Sequence, residues 1–246
     1  MTNLNGKVAV VTGGARGMGA SHAKRFVNDG ASVVITDILE EKGSELAKEL
    51  GEKALFIQHD VSKTEDWKKV IQETEDTFGP ISILVNNAGI AILNEIKDMT
   101  EEDYMKVIQV NQLSVFLGMK AVLPSMQSAG SGSIINIASI SAIRSMNEGV
   151  AYDAAKGAIN AMTKTAAVEF AKYNIRVNAI LPGFVETEMD AGLDPEYLNF
   201  ILKATPMNRR AQPEEVSSLV SYLASDDCQF QTAGEFIIDG GLTKRY

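Results

Sequence analysis

Short runs of apolar, mostly β-branched residues alternate with longer stretches of helical pattern along the whole 246-residue chain. This alternation limits the possible folds more than any other feature. Residues 7–12 read KVAVVT and break at Gly13-Gly14. Gly17–Asn28 follows as a helix with Ala20, Ala23, Phe26 and Val27 on one face. Residues 32–36 (SVVIT) are the next strand, and Glu40–Leu50 is a charged amphipathic helix closed by Gly51. Further strands are expected at Ala54–Gln58, 81–85, 133–137, 175–181 and 235–239. Further helices are expected at Thr64–Phe78, 100–127, 150–173 and Pro213–Ala224. The 100–127 helix should be disturbed near Pro124.

Strands that are apolar along their full length are covered on both faces, and a helix after each one makes the sheet parallel. Right-handed crossovers then give an α/β, doubly wound parallel sheet of Rossmann type. No composition shift or linker divides the chain, so a single domain over 1–246 is expected. Residues 184–212 break the rhythm and read as a long irregular insertion after a strand, a place where lids occur.

The formal net charge of -9 disfavours nucleic acid and anionic membrane as partners. Cys228 is the only cysteine, so no intramolecular disulfide can form, and a reducing compartment fits. The N-terminal residues do not read as a signal peptide. No uncharged apolar run approaches the ~18–20 residues of a membrane helix. The cytoplasm is the expected location.

Thr12-Gly13-Gly14-Ala15-Arg16-Gly17-Met18-Gly19 follows the first strand and opens the first helix. Glycines let backbone approach a pyrophosphate, and the helix N-terminus supplies free N–H groups and partial positive charge. Without a ligand the same string would be a glycine-rich turn. Asp37 ends the second strand, where a carboxylate accepts hydrogen bonds from the adenosine ribose and repels a 2′-phosphate. Its bland reading is a turn aspartate. Arg16 pulls the other way, toward a 2′-phosphate. Asp60-Val61 ends the third strand and Asn86-Asn87-Ala88-Gly89 the fourth, both at the carboxyl edge of the sheet. Either could be an ordinary strand-end turn.

Tyr152 and Lys156 stand four residues apart on one helical face. Tyrosine has a reference pKa of about 10, and a nearby ammonium stabilises the tyrosinate. Ser139 ends the preceding strand, where its hydroxyl can hold a substrate oxygen. Tyr-x-x-x-Lys alone is usually just a helix face. The upstream nucleotide site and the adjoining serine give it weight.

With these motifs in their order, the chain resembles the short-chain dehydrogenase/reductase family from Lys7 to about Gly241. The motifs are T-G-G-A-R-G-M-G, Asp37, Asp60-Val61, N-N-A-G, Asn111, Ser139, Y-D-A-A-K, Pro182-Gly183 with Thr187, and Asp239-Gly240-Gly241. The resemblance implies a catalytic tetrad of Asn111, Ser139, Tyr152 and Lys156. It implies NAD bound through Gly13, Arg16, Gly17, Met18 and Gly19 and through Asp37 with Ile38. Asp60, Val61, Asn87, Ala88 and Gly89 would add to that site, as would Pro182, Gly183, Val185 and Thr187, with Tyr152 and Lys156 at the nicotinamide end. In such enzymes the asparagine supports a water chain to the lysine, and Thr187 would contact the carboxamide. No metal is required. Asp153 and Gln112 depart from the usual pattern without removing a catalytic group.

The expected activity is hydride transfer between NAD(H) and a secondary alcohol or ketone. Tyr197, Leu198, Phe200, Leu202 and Leu193 suggest a lid for an apolar small-molecule substrate, and Met146, Met189 and Met207 could line its pocket. An NADPH-dependent 3-oxoacyl-(acyl-carrier-protein) reductase is the alternative that Arg16 favours and Asp37 disfavours. A non-catalytic nucleotide-binding sensor or scaffold is the alternative of another class; it would usually lack the tyrosine or lysine. The resemblance also implies a homotetramer. Its helices from Thr100 and Val150 would meet through Ala154, Ala155, Gly157, Ala158 and Ala161. His22 and His59 lack any partner with metal-ligand spacing, His59 reads as capping or flanking a strand, and Trp67 reads as helix packing.

Overall fold

Every residue of β1 (Val8–Thr12) is buried, because layers cover both of its faces. The computed structural model describes residues 2–188 and 195–244. β2 (Ser32–Asp37) and β3 (Ala54–Gln58) continue the sheet on one side of β1. β4 (Ile83–Asn86), β5 (Gly132–Ile137), β6 (Ile175–Pro182) and β7 (Glu235–Ile238) continue it on the other. All pairings are parallel. The order β3-β2-β1-β4-β5-β6-β7 changes direction between β1 and β4. A sheet wound this way opens a crevice at the carboxyl ends of those strands.

Side chains along each strand alternate between two cores. Val10 faces α3 (Thr64–Phe78), α5 (Ser114–Ala129) and α6 (Val150–Phe170), among Trp67, Val70, Val122 and Ile159. Ala9 and Val11 face α1 (Gly17–Asn28), α2 (Glu40–Leu50) and α8 (Pro213–Ala224), among Phe26, Leu46 and Val220. Full burial of such side chains contributes roughly 1.5–3 kcal/mol each, so both faces of the sheet reward apolar residues. The histidines lie in these layers. His22 Nδ1 and Ser217 Oγ share a hydrogen bond at 2.7 Å, and burial pulls the imidazole down to about 3. His59 pairs with Thr36 Oγ1 and meets the Trp67 ring edge-on; burial pulls it to about 4.

Three expectations need correction. Pro124 does not disturb its helix, which runs unbroken from Ser114 to Ala129 with Pro124 on the exposed side. The irregularity lies upstream. A π turn, Ile108–Leu113, joins α4 (Glu101–Val107) to α5, and the buried Asn111 sits in it. Insertions of this kind are frequent at functional sites. Second, the 184–212 insertion is not wholly irregular. It contains α7 (Pro195–Ala204), and a bridge between Val185 and Ala211 ties its two ends together. Third, Ala155 is fully buried with Val107 and Ala151 inside the chain, so it does not offer a surface for the expected helix contact. The stretch Glu101–Ala129 is long and apolar enough to cross a membrane by length and composition alone. Val107, Val115, Met119, Val122 and Met126 in it are buried in the protein core.

Candidate active site

The β1–α1 connection meets the crevice in a contracted backbone. Gly13 and Gly17 have φ of 61° and 54°. A Cβ at Gly13 would lie 2.8 Å from Ala88 Cα, and one at Gly19 would lie 2.1 Å from the Gly13 carbonyl oxygen. Only glycine fits either place. Asn87 stitches the end of β4 to this loop by donating from Nδ2 to the carbonyls of Thr12 and Gly13 at 2.9 and 3.1 Å. The N-terminus of α1 has no side-chain cap and no acidic residue in its first turn. Its free N–H groups suit an anion, and the glycine cradle fits a pyrophosphate.

Asp37 lies where expected. Its carboxylate accepts from Ala15 N and Leu39 N, both at 3.1 Å, and so stands against the loop. Ile38 beside it is 65% exposed. Arg16 donates from Nη1 to Glu188 at 2.9 Å. Asp60 and Val61 serve the β3–α3 turn. Asp60 Oδ1 accepts from Ser62 N and Oγ, and Val61 is buried with its carbonyl on Trp67 Nε1. Burial pushes the Asp60 carboxyl up, but hydrogen bonds from Ser62 and Lys63 outweigh this and hold it below the usual range.

Ser139, Tyr152 and Lys156 line one cavity of about 370 Å³ at the carboxyl edge. Met18, Asn87, Gly89, Pro182, Gly183, Val185 and Thr187 line it too. Ser139 leaves β5 with its Oγ accepting from Ser141 N at 3.1 Å, so the hydroxyl proton is available to another acceptor. Tyr152 and Lys156 lie in the first turns of α6. The preceding loop is braced there by Asp153, whose Oδ2 accepts from Met146 N at 3.0 Å. The unusual aspartate is therefore a loop brace. Lys156 Nζ donates to the Ile137 carbonyl at 2.8 Å and sits 5.5 Å from the Tyr152 ring centroid. Burial pulls Lys156 down to about 8, which keeps an ammonium at neutral pH.

Asn111 does not line the cavity. Its amide exchanges two hydrogen bonds of 2.8 Å with the backbone of Ile90. A Cβ on neighbouring Gly89 would stand 3.4 Å from Asn111 Oδ1 and 3.8 Å from Lys156 Nζ, so both groups border Gly89. Thr187 overhangs Gly17, its methyl 3.5 Å from where a Cβ would stand.

The remaining lining is largely apolar and includes Leu93, Ile140, Met146, Phe184, Tyr197, Phe200, Ile201 and Leu242. Leu198 and Leu202 are absent from it, and Met207 is exposed elsewhere. Leu193 and Met189 lie outside the described residues. Sequence reasoning missed Ile201. Tyr197, Phe200, Ile201 and Ala204 have the spacing of one helical face, so treating the insertion as a helix would have found it. It also missed Arg144, which donates to the Leu242 carbonyl at 2.9 Å and ties the β5–α6 loop to the C-terminal segment. Among the described residues no carboxylate lines the cavity.

The family model described as enoyl-(acyl carrier protein) reductase matches residues 13–243. The chain belongs to the short-chain dehydrogenase/reductase family. Among family members it is 42% identical to the 3-alpha-(or 20-beta)-hydroxysteroid dehydrogenase of Mycobacterium bovis, over 97% of this chain and 90% of that protein. It is 41% identical to the trans-4-hydroxycyclohexanecarboxylate dehydrogenase of Sinomonas cyclohexanicum, over 96% and 93%. It is 40% identical to the NADP-dependent (R)-specific alcohol dehydrogenase of Lentilactobacillus kefiri, over 98% of both. A solved Agrobacterium tumefaciens structure, assigned as a gluconate dehydrogenase, superposes with a TM-score of 0.95 at 28% identity. It covers 99% of this chain and 98% of that one. As a family member, the chain is an oxidoreductase that moves hydride between a nicotinamide cofactor and an alcohol or ketone.

Proposed function

We propose that the chain is an NAD-dependent dehydrogenase of apolar cyclic secondary alcohols, working reversibly with the ketones. One juxtaposition carries the reading: Ser139, Tyr152 and Lys156 share an apolar cavity with Met18 and Thr187, which flank the glycine cradle. Gly13, Gly17 and Gly19 would hold the pyrophosphate, Asp37 the ribose, and Pro182, Gly183, Val185 and Thr187 the nicotinamide end. Bound NAD supplies the hydride acceptor for alcohol oxidation. Ser139 donates a hydrogen bond from its hydroxyl to the substrate oxygen and keeps its proton, since its own Oγ is already fixed by Ser141 N. Tyr152 takes the proton from the alcohol, and the Lys156 ammonium favours the tyrosinate that can do so. Asn111 holds the Gly89-Ile90 turn beside Lys156. Most of the acceleration comes from positioning and preorganised dipoles.

The NADP-dependent relative makes cofactor choice a matter for this chain's own residues. Asp37 at the loop and the engagement of Arg16 with Glu188 support NAD. Relatives named for a 3-alpha-(or 20-beta)-hydroxysteroid, cyclopentanol and trans-4-hydroxycyclohexanecarboxylate act on secondary alcohols of ring compounds, whose hydrocarbon rings the apolar lining suits. Cyclopentanol, cyclohexanol, a 3α-hydroxysteroid and ethanol, each with NAD, test this. At least one ring alcohol is expected to generate NADH and ethanol to give none. Stronger turnover of an acetoacetyl thioester with NADPH would replace the reading by an acyl reductase. Cofactor binding with no turnover of any alcohol or ketone would replace it by a sensor.

The assembly we propose is a homotetramer. Met105, Leu113 and Phe116 are exposed along α4, the π turn and α5, and Ala154, Ala161 and Val168 are exposed along α6. A Cβ at Gly157 would meet nothing, so close helix approach is open there. Light scattering should give the mass of four 26.5 kDa chains. A stable monomer at micromolar concentration would refute it. The acidic balance and single cysteine support a cytoplasmic enzyme without a nucleic-acid or membrane partner.

A further inference from the structure

Glu188 follows Thr187 at the base of the lid, and it binds two cations from different elements. Its Oε2 accepts from Arg16 Nη1 at 2.9 Å and from Lys42 Nζ at 3.3 Å. Arg16 occupies the position just before α1 in the glycine-rich loop without capping it, and Lys42 lies in the first turn of α2, five residues after Asp37. Ala15, next to Arg16, donates its N–H to Asp37 Oδ2. The cluster therefore borders the carboxylate assigned to the adenosine ribose. Its two cations hold the Glu188 carboxyl below the usual range.

We infer that Glu188 is a second determinant of cofactor selectivity, occupying the two cations that a 2′-phosphate would otherwise use. Arg16 and Lys42 share the single carboxylate of Glu188, and Asp37, Glu40 and Glu41 are the acidic residues next to them in the loop and the first turn of α2. A 2′-phosphate brings roughly two negative charges at neutral pH. To pair with Arg16 or Lys42 it must displace Glu188, and it meets that carboxylate's repulsion as well. Neutralising Glu188 removes the carboxylate that both cations share. The guanidinium is then free for the two-point grip that it makes on phosphate oxygens. The inference rests on the proposed NAD preference for its meaning but not for its test.

The test compares calorimetric binding of adenosine 2′,5′-bisphosphate and adenosine 5′-diphosphate to the intact protein at low ionic strength. Neither ligand carries nicotinamide, so the readout is independent of turnover. Glu188→Gln is expected to tighten the 2′,5′-bisphosphate by about fivefold, the scale of an exposed charge interaction, and to leave the 5′-diphosphate within about twofold. Adding Arg16→Gln and Lys42→Gln should remove the gain. An unchanged ratio of the two affinities in Glu188→Gln overturns the inference. Equal weakening of both ligands also overturns it, because Glu188 would then only fasten the lid. A wild-type protein that already favours the 2′-phosphate would sink the NAD reading, while the shift on substitution would still judge Glu188.

Discussion

Tyr152→Phe is expected to lower kcat by about 10²–10⁴-fold while NAD binding persists, since general acid–base catalysis contributes on that scale. The loss corresponds to roughly 3–5 kcal/mol of transition-state stabilisation. Phenylalanine keeps the ring, and so keeps the surface beside Lys156 Nζ, 5.5 Å from its centroid. It removes only the hydroxyl that can exchange a proton with the alcohol. Lys156→Ala should act differently. Lys156 is buried, donates to the Ile137 carbonyl, and borders Gly89. Its loss should damage both turnover and cofactor affinity, because in the proposed site the ammonium would serve the tyrosinate and the nicotinamide ribose alike. Steady-state kinetics with one ring alcohol and calorimetric titration of NAD separate the two variants. Residual Tyr152→Phe activity above about a tenth of wild type would remove Tyr152 as the acid/base, since it falls short of the expected scale.

The strands were legible because this sheet is covered on both faces. Val10 enters one core while Ala9 and Val11 enter the other, so apolar residues run without a break. The glycine cradle was legible for a related reason: Gly13 and Gly19 sit where a Cβ would strike backbone. Other features depend on the rotation of a helix or on contacts distant in sequence. Nothing local tells whether Leu198 or Ile201 turns into the cavity until α7 is known to be a helix with Tyr197 on that face. The family pattern singles out Asn111, but taken by itself the residue reads as mid-helix polar, because a π turn leaves no simple mark in composition. Arg16 and Glu188 are 172 positions apart, and their pairing changes what Arg16 means for cofactor choice. In the sequence Arg16 argued for a phosphate. In the fold its charge already faces a carboxylate.

Asp37 sets the second large effect. The enzyme is expected to prefer NAD over NADP by roughly 2–4 kcal/mol, or about 30- to 1000-fold in kcat/KM. Two unit charges about 5 Å apart at an effective dielectric near 20 repel by about 3 kcal/mol. A 2′-phosphate carries more than one charge, and solvent screens part of the repulsion. Arg16 offsets less than its position suggests, because Glu188 holds it. The Asp37 carboxylate is fixed by Ala15 N and Leu39 N and cannot simply swing away from a phosphate. Asp37→Ala should therefore shrink the preference. It also frees those two backbone donors, so efficiency with NAD should fall too, and the ratio of the two cofactors is the quantity to read. Ile38 is 65% exposed, so an arginine fits there without disturbing the core. Asp37→Ala combined with Ile38→Arg is expected to reverse the preference toward NADP. The measurement is kcat/KM for both cofactors with one alcohol, in the unmutated enzyme and in both variants. Equal values in the unmutated enzyme would mean that Asp37 does not govern the ribose site and that the NAD assignment is wrong.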